Sequence, residues 1–159
     1  QNCKSPTLIN STIDKNSTDG GGGGIYNTGS SSPTVINSIL SKNNAGSGGG
    51  MGNSSSAPVI TNTIFANNNS GNGGAMFNFS SSPMLTNSII WDNGSTELSA
   101  NSSSVPSFMN SIIKGSGGSE NWDTDYGTDN GANLDADPLF VDASNSDSPP
   151  RSENSVCKW

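Results

Sequence analysis

The sequence predicts an all-β fold, a short parallel β-helix (a solenoid) of about six coils, on three observations. Pro6, Pro33, Pro58, Pro83 and Pro106 recur at spacings of 27, 25, 25 and 23, and each opens a near-copy of Pro-x-aliphatic-x-Asn-Ser. Only 29% of the 159 residues are hydrophobic and 12% are charged. That is too little apolar material for a conventional layered core, but enough for a solenoid, where each repeat supplies a few inward side chains. No segment has the 3.6-residue rhythm of a helix, and β-branched residues, Gly and Asn dominate. The period also fits leucine-rich repeats, but leucine is scarce.

Each coil then reads as about three short strands separated by corners. Coils that pair in parallel at ~4.8 Å make six of them a rod only ~29 Å long. Counting from each proline, position two holds Leu8, Val35, Ile60, Leu85 and Phe108, and position seven holds Ile13, Leu40, Phe65, Ile90 and Ile113. These two columns are the expected core. At position four, Asn10, Asn37, Asn62, Asn87 and Asn110 are expected to point inward at a corner and to hydrogen-bond from coil to coil as an asparagine ladder. The tenth position holds Asn16, Asn43, Asn68 and Asn93, with Ser116 in the fifth repeat. GGGIYN, GGGMGN and GGAMFN form a second element, weakened to TELSAN in the fourth repeat. The five glycines at 20–24 are followed by neither Gly-Lys-Ser/Thr nor a helix, so they read as corner rather than phosphate loop. Residues 1–142 form the β-helix domain, and 143–159 a polar tail packing on the solenoid or on a neighbouring molecule.

Alternation within a strand sends position six outward. It holds Thr12, Ile39, Ile64, Ile89 and Ile112, beside outward Ile36, Val59 and Met84. Such a column forms a water-excluding strip, which soluble monomers rarely expose. Strand propensity alone also places Ile and Thr there. The alternative is an interface with another protomer, a polymer or ice.

SSPTVINSILSKNNAGSGGGMGN, residues 31–53, resembles the right-handed parallel β-helix repeats of bacterial surface proteins in the pectin-lyase-like superfamily. NLDADPLFVD at 133–142 and SIIWDNGSTEL at 88–98 resemble the closing coils of choice-of-anchor Q domains. IFANN and GGAM are similar to short motifs of chlamydial polymorphic outer-membrane proteins. The resemblance covers residues 5–142 and implies a right-handed solenoid in an exported or surface protein, with no particular activity. Members often continue into an anchoring segment, whereas this chain stops at SVCKW.

The superfamily includes polysaccharide lyases and hydrolases. This chain has no histidine, which removes His-based acid–base catalysis. Lys42 and Lys114 are the basic candidates for a lyase, and neither has an acidic cluster in its own coil. Asp14 and Asp92 occupy equivalent positions too far apart to act as a glycosidase pair. We therefore expect no catalysis. No cofactor is expected except calcium, for which Asp123, Asp125 and Asp129, with glycines at 127 and 131, offer hard-cation spacing. The bland reading of that stretch is a solvated acidic loop. Trp122 and Tyr126 either stack carbohydrate or close a small core.

Six scattered basic residues in a chain of net charge −7 argue against nucleic acid, and no apolar run of ~20 residues spans a bilayer. Gln1 is not a translational start, so we expect the numbering to begin either after a removed segment or at a cut edge of a longer chain. Cys3 and Cys157 fit an oxidising, extracellular setting. Their disulfide can close within one chain or join Cys157 of one copy to Cys3 of the next. Among the Asn-x-Ser/Thr sequons, Asn16 and Asn53 are the expected exposed glycosylation sites, and Asn10, expected inward, is not. The function expected is a non-catalytic, secreted structural protein that self-associates into a filament or layer through its ends and its apolar strip. The alternatives are a monomeric adhesin that binds carbohydrate and, third, an ice-binding protein.

Overall fold

The computed structural model describes residues 5–140. Its strands are two to four residues long and pair only in parallel, each with the same segment of the next coil. A six-stranded sheet stacks Thr7–Ile9, Thr34–Ile36, Val59–Thr61, Met84–Thr86, Ser107–Met109 and Thr128–Asp129. A five-stranded sheet stacks Thr12–Asp14, Ile39–Ser41, Ile64–Ala66, Ile89–Trp91 and Ile112–Ile113. The third, four-stranded, is built from Ile25–Asn27, Met51–Ser54, Met76–Phe79 and Leu98–Ala100. Five coils are thus developed, and the sixth survives mainly as Thr128–Asp129.

Register is held at the prolines. Pro has no N–H to donate, so it precedes a strand rather than sitting inside one. Its carbonyl accepts from the next coil: Thr34 N–H bonds Pro6 O at 2.9 Å, Val59 N–H bonds Pro33 O at 3.0 Å, and Met84 N–H bonds Pro58 O at 3.0 Å. Ser107 and Thr128 repeat this with Pro83 and Pro106, both at 2.9 Å. The proline columns therefore superpose, and every side-chain column with them.

The core is as narrow as the composition requires. Val35, Ile60, Leu85 and Phe108 stack from one sheet, Leu40, Phe65, Ile90 and Ile113 from the second, and Met51 and Met76 from the third. Leu8, Ile13 and Ile25, in the first described coil, are only partly buried. At the far end Trp122 packs against Phe108, ring centroids 5.7 Å apart, and its indole N–H donates to Gly127 O at 2.9 Å. Tyr126, in the short 3-10 turn Thr124–Tyr126, packs on the same core and donates its hydroxyl to Lys114 O at 2.9 Å. These two aromatics close the core.

The asparagines four residues after each proline do not point inward. Asn10, Asn37, Asn62, Asn87 and Asn110 all lie at the corner between the two longer sheets with φ of 50–51°, and their side chains are exposed or half-buried. Asn tolerates the left-handed region better than any residue with a bulkier or branched side chain. The repeated Asn therefore answers a backbone requirement, a one-residue corner. Asn62 donates its amide to Asn37 Oδ1 there, at 3.0 Å and on the outside.

The internal asparagine ladders run through other columns. Asn16, Asn43 and Asn68 each donate Nδ2 to the Oδ1 of the next, Asn43, Asn68 and Asn93, at 3.0, 3.0 and 2.8 Å. The backbone N–H of each donates to the same acceptor at 3.0–3.1 Å. A second ladder runs from Asn27 to Asn53 to Asn78 at 2.8 and 2.9 Å. Hydroxyl rungs also follow the column Ser11, Ser38, Thr63, Ser88 and Ser111, where Ser11 N–H donates to Ser38 Oγ, Thr63 N–H to Ser88 Oγ and Ser88 N–H to Ser111 Oγ. In a coil with so few apolar residues, these amides and hydroxyls satisfy the backbone groups that the corners bury.

Candidate functional site

The outward columns come first. Ile39, Ile64, Ile89 and Ile112 are in register on adjacent strands and alternate with the core residues Leu40, Phe65, Ile90 and Ile113, so the column does face away from the core. Thr12 is exposed, and Ile39 and Ile64 are half-buried. Ile89 and Ile112 are not surface residues: they retain 5% and 6% of their accessible area and yet stand outside the inner cluster. Leu134 pairs with Ile112 as the next rung, and Pro138 beyond it is itself buried. Alternation sets the direction of a side chain but not whether a later segment covers it. That part of the expected strip is closed.

The open apolar surface lies on the six-stranded sheet. Ile9, Val59, Met84 and Met109 are exposed there, four of the nine exposed large hydrophobics among the described residues, and Ile36 is half-buried. Thr7, Thr34, Thr61, Thr86 and Ser107 occupy the remaining outward positions of the same five strands.

A cleft of about 490 Å³ opens beside the closing loop, lined by Thr96, Glu97, Lys114, Asp123, Asp125 and Tyr126 among others. Glu97 is buried. Coil five has Ser116 where the earlier coils carry a ladder Asn, and Glu97 folds in to end the ladder. Its Oε1 and Oε2 both accept Asn93 N–H at 3.2 Å, and Oε2 accepts Asn93 Nδ2 at 2.8 Å. Burial raises the Glu97 carboxyl above the ordinary carboxylate range, against the lowering effect of those bonds. Lys114 pairs with Asp92, which raises its pKa, and lies 5.6 Å from the centroid of the Trp91 ring. Burial raises the Tyr126 phenol as well. Each of these groups is engaged by a named partner within the fold.

The expected calcium set is not assembled. Asp123 and Asp125 line the cleft, where Asp123 Oδ1 accepts Asp125 N–H at 3.0 Å as the cap of the 3-10 turn. Asp129 Oδ1 instead accepts from Ser119 Oγ at 3.0 Å, Gly131 N–H at 2.7 Å and Asn133 Nδ2 at 2.6 Å. Among the described residues no three His, Cys, Asp or Glu are grouped to hold a metal ion. The close spacing in sequence is undone by the loop, which turns the Asp123 carboxylate to the 3-10 turn and that of Asp129 to the turn at Gly131.

The sequons also resolve differently. Asn53 is a buried ladder rung at 1% exposure, closed to glycosylation, because its amide is shared between Asn27 and Asn78. Asn16 is exposed, though its Nδ2 donates to Asp14 O and Asn43 Oδ1. Asn10, expected inward, is exposed. Cys3, Cys157 and residues 143–159 lie outside the described residues.

Two structural side chains had escaped the sequence reading. Glu97 was discoverable as the only acid in TELSAN, where the ladder runs out. Asn133 stands 22 residues after Ser111, close to the repeat period, and caps the hydroxyl ladder by accepting Ser111 N–H at 2.9 Å.

Coils in continuous parallel register, with side-chain ladders running along the axis, carry the family decision, and a family model described as "right handed beta helix region" matches residues 1–127. The chain belongs to the right-handed β-helix family. Searches of curated proteins and of solved structures found no match. The right-handed β-helix is a fold shared by polysaccharide lyases and by proteins without enzymatic activity, so membership leaves activity to be argued from the faces and the cleft. No helix among the described residues is long and apolar enough to cross a membrane.

Proposed function

We infer that this β-helix is a non-catalytic, extracellular structural protein that associates with further copies of itself, into a fibre or layer, through the outer face of its six-stranded sheet. The observation that carries this reading is an exposed apolar face without charge. Val59 and Met84 are 43% and 50% exposed in adjacent rungs of one outward column, and exposed Ile9 and Met109 stand in the other outward column, on the first and fifth strands. The five strands Thr7–Ile9, Thr34–Ile36, Val59–Thr61, Met84–Thr86 and Ser107–Met109 contain no charged residue, in a chain of net charge −7. Two acidic copies can approach through this face without opposing like charges. Exposed Thr12 and half-buried Ile39 and Ile64, on the neighbouring sheet, extend the apolar surface.

The resemblance of residues 88–98 and 133–142 to surface-protein closing coils supports an extracellular setting, and a disulfide through Cys3 and Cys157, within one chain or from one copy to the next, belongs to the same proposal. The absence of histidine and the engagement of Lys114, Asp92, Glu97 and Tyr126 in structural bonds support a non-catalytic role.

The test is sedimentation velocity over a concentration series, with electron microscopy of the concentrated protein. The expected result is a sedimentation coefficient that rises with concentration, and a double variant Val59→Asp/Met84→Asp that keeps the wild-type circular dichroism but stays monomeric. A wild type that remains monomeric throughout refutes the reading.

A further inference from the structure

The two ends of the solenoid differ. Counted from the proline, the N–H at position six donates to the position-five carbonyl of the coil before. Ile39 bonds Ser11 O, Ile64 bonds Ser38 O, Ile89 bonds Thr63 O, Ile112 bonds Ser88 O and Leu134 bonds Ser111 O, at 2.8–3.0 Å. The next carbonyl in that column is Asn133 O. It accepts Ser119 N–H at 2.9 Å, and Asn133 N–H donates to Ser119 Oγ at 2.8 Å. A Cβ added at Gly118 would lie 3.5 Å from Leu134 Cα. Gly118 and Ser119 thus stand where a seventh coil would place its fifth and sixth positions, and the C-terminal end is closed there by its own loop.

The N-terminal end is open. No described strand precedes Thr7–Ile9, Thr12–Asp14 or Ile25–Asn27 in its sheet. In coil two, Thr34 N–H and Ile39 N–H donate to Pro6 O and Ser11 O, and Ser38 Oγ and Asn43 Oδ1 accept from Ser11 and Asn16. Among the described residues no earlier coil serves the equivalent groups of coil one, which are Thr7 N–H, Thr12 N–H, Ser11 Oγ and Asn16 Oδ1. Leu8, Ile13 and Ile25 are left partly buried at the same end. Such an edge pairs with a strand that is offered to it.

A matching strand belongs to the same chain. Residues 141–159 lie outside the described coils, and within them Pro150, Asn154, Ser155, Val156 and Cys157 repeat the coil motif at positions zero, four, five, six and seven. The neighbours in register distinguish the ends. At the N-terminal end Cys157 meets the core residue Ile13, and Lys158 meets Asp14, a charge of opposite sign. At the C-terminal end position seven is Asp135, whose carboxylate already accepts Gly115 N–H and Gly117 N–H at 3.0 and 3.1 Å, and position eight is Ala136. The connection is long enough. The ten steps from Phe140 to Pro150 reach ~33–36 Å when extended, and six rungs at ~4.8 Å come to ~29 Å. A tethered segment within reach meets its own molecule at an effective concentration on the order of millimolar, ahead of a neighbour in dilute solution.

We propose that residues 150–159 fold back and dock as a further rung on the N-terminal end of their own chain, with Pro150 beside Pro6, Cys157 over Ile13 and Lys158 beside Asp14. Pro150 O then accepts Thr7 N–H, Ser155 O accepts Thr12 N–H, and Ser155 N–H donates to Ser11 Oγ, as the equivalent groups do between coils one and two. The docked strand covers the end that the described loops leave open and withholds that edge from other chains. The proposal is independent of the association face, which lies on the side of the solenoid.

The experiment places a second thiol at each end. Cys3→Ser with Ile13→Cys, and Cys3→Ser with Leu134→Cys, are oxidised with copper–phenanthroline and followed by thiol titration, peptide mapping and non-reducing gels. In-register Cα atoms on adjacent strands stand ~4.8 Å apart, inside the range that a disulfide spans. The Ile13→Cys protein is expected to lose both thiols in a monomer-sized species that joins positions 13 and 157, and the Leu134→Cys protein to keep its thiols. A second readout needs no cysteine. The amides of Thr7 and Thr12 are expected to exchange with deuterium at least about tenfold more slowly in the full chain than in a variant lacking residues 150–159, and Val59→Asp/Met84→Asp to leave that ratio unchanged. A bond from Cys157 to the Leu134→Cys thiol, a bond between two chains, free thiols in the Ile13→Cys protein, or equal exchange with and without residues 150–159 overturns the proposal.

Discussion

Asn68→Ala separates the two kinds of asparagine in this chain. Asn68 is a central rung of the inner ladder. Its Oδ1 accepts Asn43 N–H and Asn43 Nδ2, both at 3.0 Å, and its Nδ2 donates to Leu40 O and to Asn93 Oδ1, both at 2.8 Å. Four side-chain bonds at about 1 kcal/mol net each, plus about 1–3 kcal/mol for leaving the buried Asn43 N–H without its acceptor, give a loss of about 5–7 kcal/mol. For a chain of this size that lowers the melting temperature by roughly 10–28 °C. The comparison is Asn62→Ala. Asn62 is exposed, donates its amide to Asn37 Oδ1 at 3.0 Å on the outside, and sits at φ 50°. Its replacement costs about 1 kcal/mol, mostly left-handed strain, and Asn62→Gly restores it. Urea titration followed by circular dichroism measures both. A loss for Asn68→Ala no larger than that for Asn62→Ala refutes the assignment of the inner ladder as the structural one.

Three further outcomes follow from the same structure. Because burial raises the Glu97 pKa above its unfolded value, the folded state holds that proton more tightly. This contribution to stability is full below the unfolded pKa and is lost as pH rises through the folded one. Glu97→Gln keeps an oxygen for Asn93 without the charge, so it is expected to be the more stable protein at neutral pH and to converge with the wild type in acid; a constant difference across the melting temperatures from pH 3 to 8 contradicts this. The Asn78 Nδ2 group is buried without a partner, because the residue in register with it is Ala100. Ala100→Asn extends the ladder by one rung and is expected to add about 1 kcal/mol in urea titration, whereas a neutral or destabilising result shows that the rung cannot form. Finally, Gly48 has φ 69° and a Cβ there would lie 2.3 Å from Met51 O, whereas Gly71 opens on free space. Gly48→Ala is expected to cost at least about 2 kcal/mol and Gly71→Ala to change thermal stability by less than about 1 kcal/mol.

The parts of the fold legible in the chain are those governed by periodicity. The spacing of Pro6, Pro33, Pro58, Pro83 and Pro106 located every coil, since a solenoid superposes equivalent positions. Alternation on either side of each corner identified Val35, Ile60 and Leu85, and Leu40, Phe65 and Ile90, as core. The role of a repeated polar residue was not legible in the same way. Asn37 and Asn43 recur with equal regularity, yet one is selected for a backbone torsion on the outside and the other for amide bonding on the inside. Repetition reports that a column exists, not which side of the wall it occupies.

The sequence alone therefore determined the coil, its period and the contents of the narrow core, because these depend on spacing and alternation along a strand. Only the tertiary structure decided which outward residues meet solvent. Ile64 and Ile89 share one column, yet Ile64 stays half-exposed and Ile89 is buried; Tyr26 lies where Gly21 and Gly52, from two different coils, leave its ring room. Likewise Asp123 and Asp129, near neighbours in the chain, bond to different turns. Exposure and convergence depend on where separate coils and loops come to lie in space, and one-dimensional order does not record that.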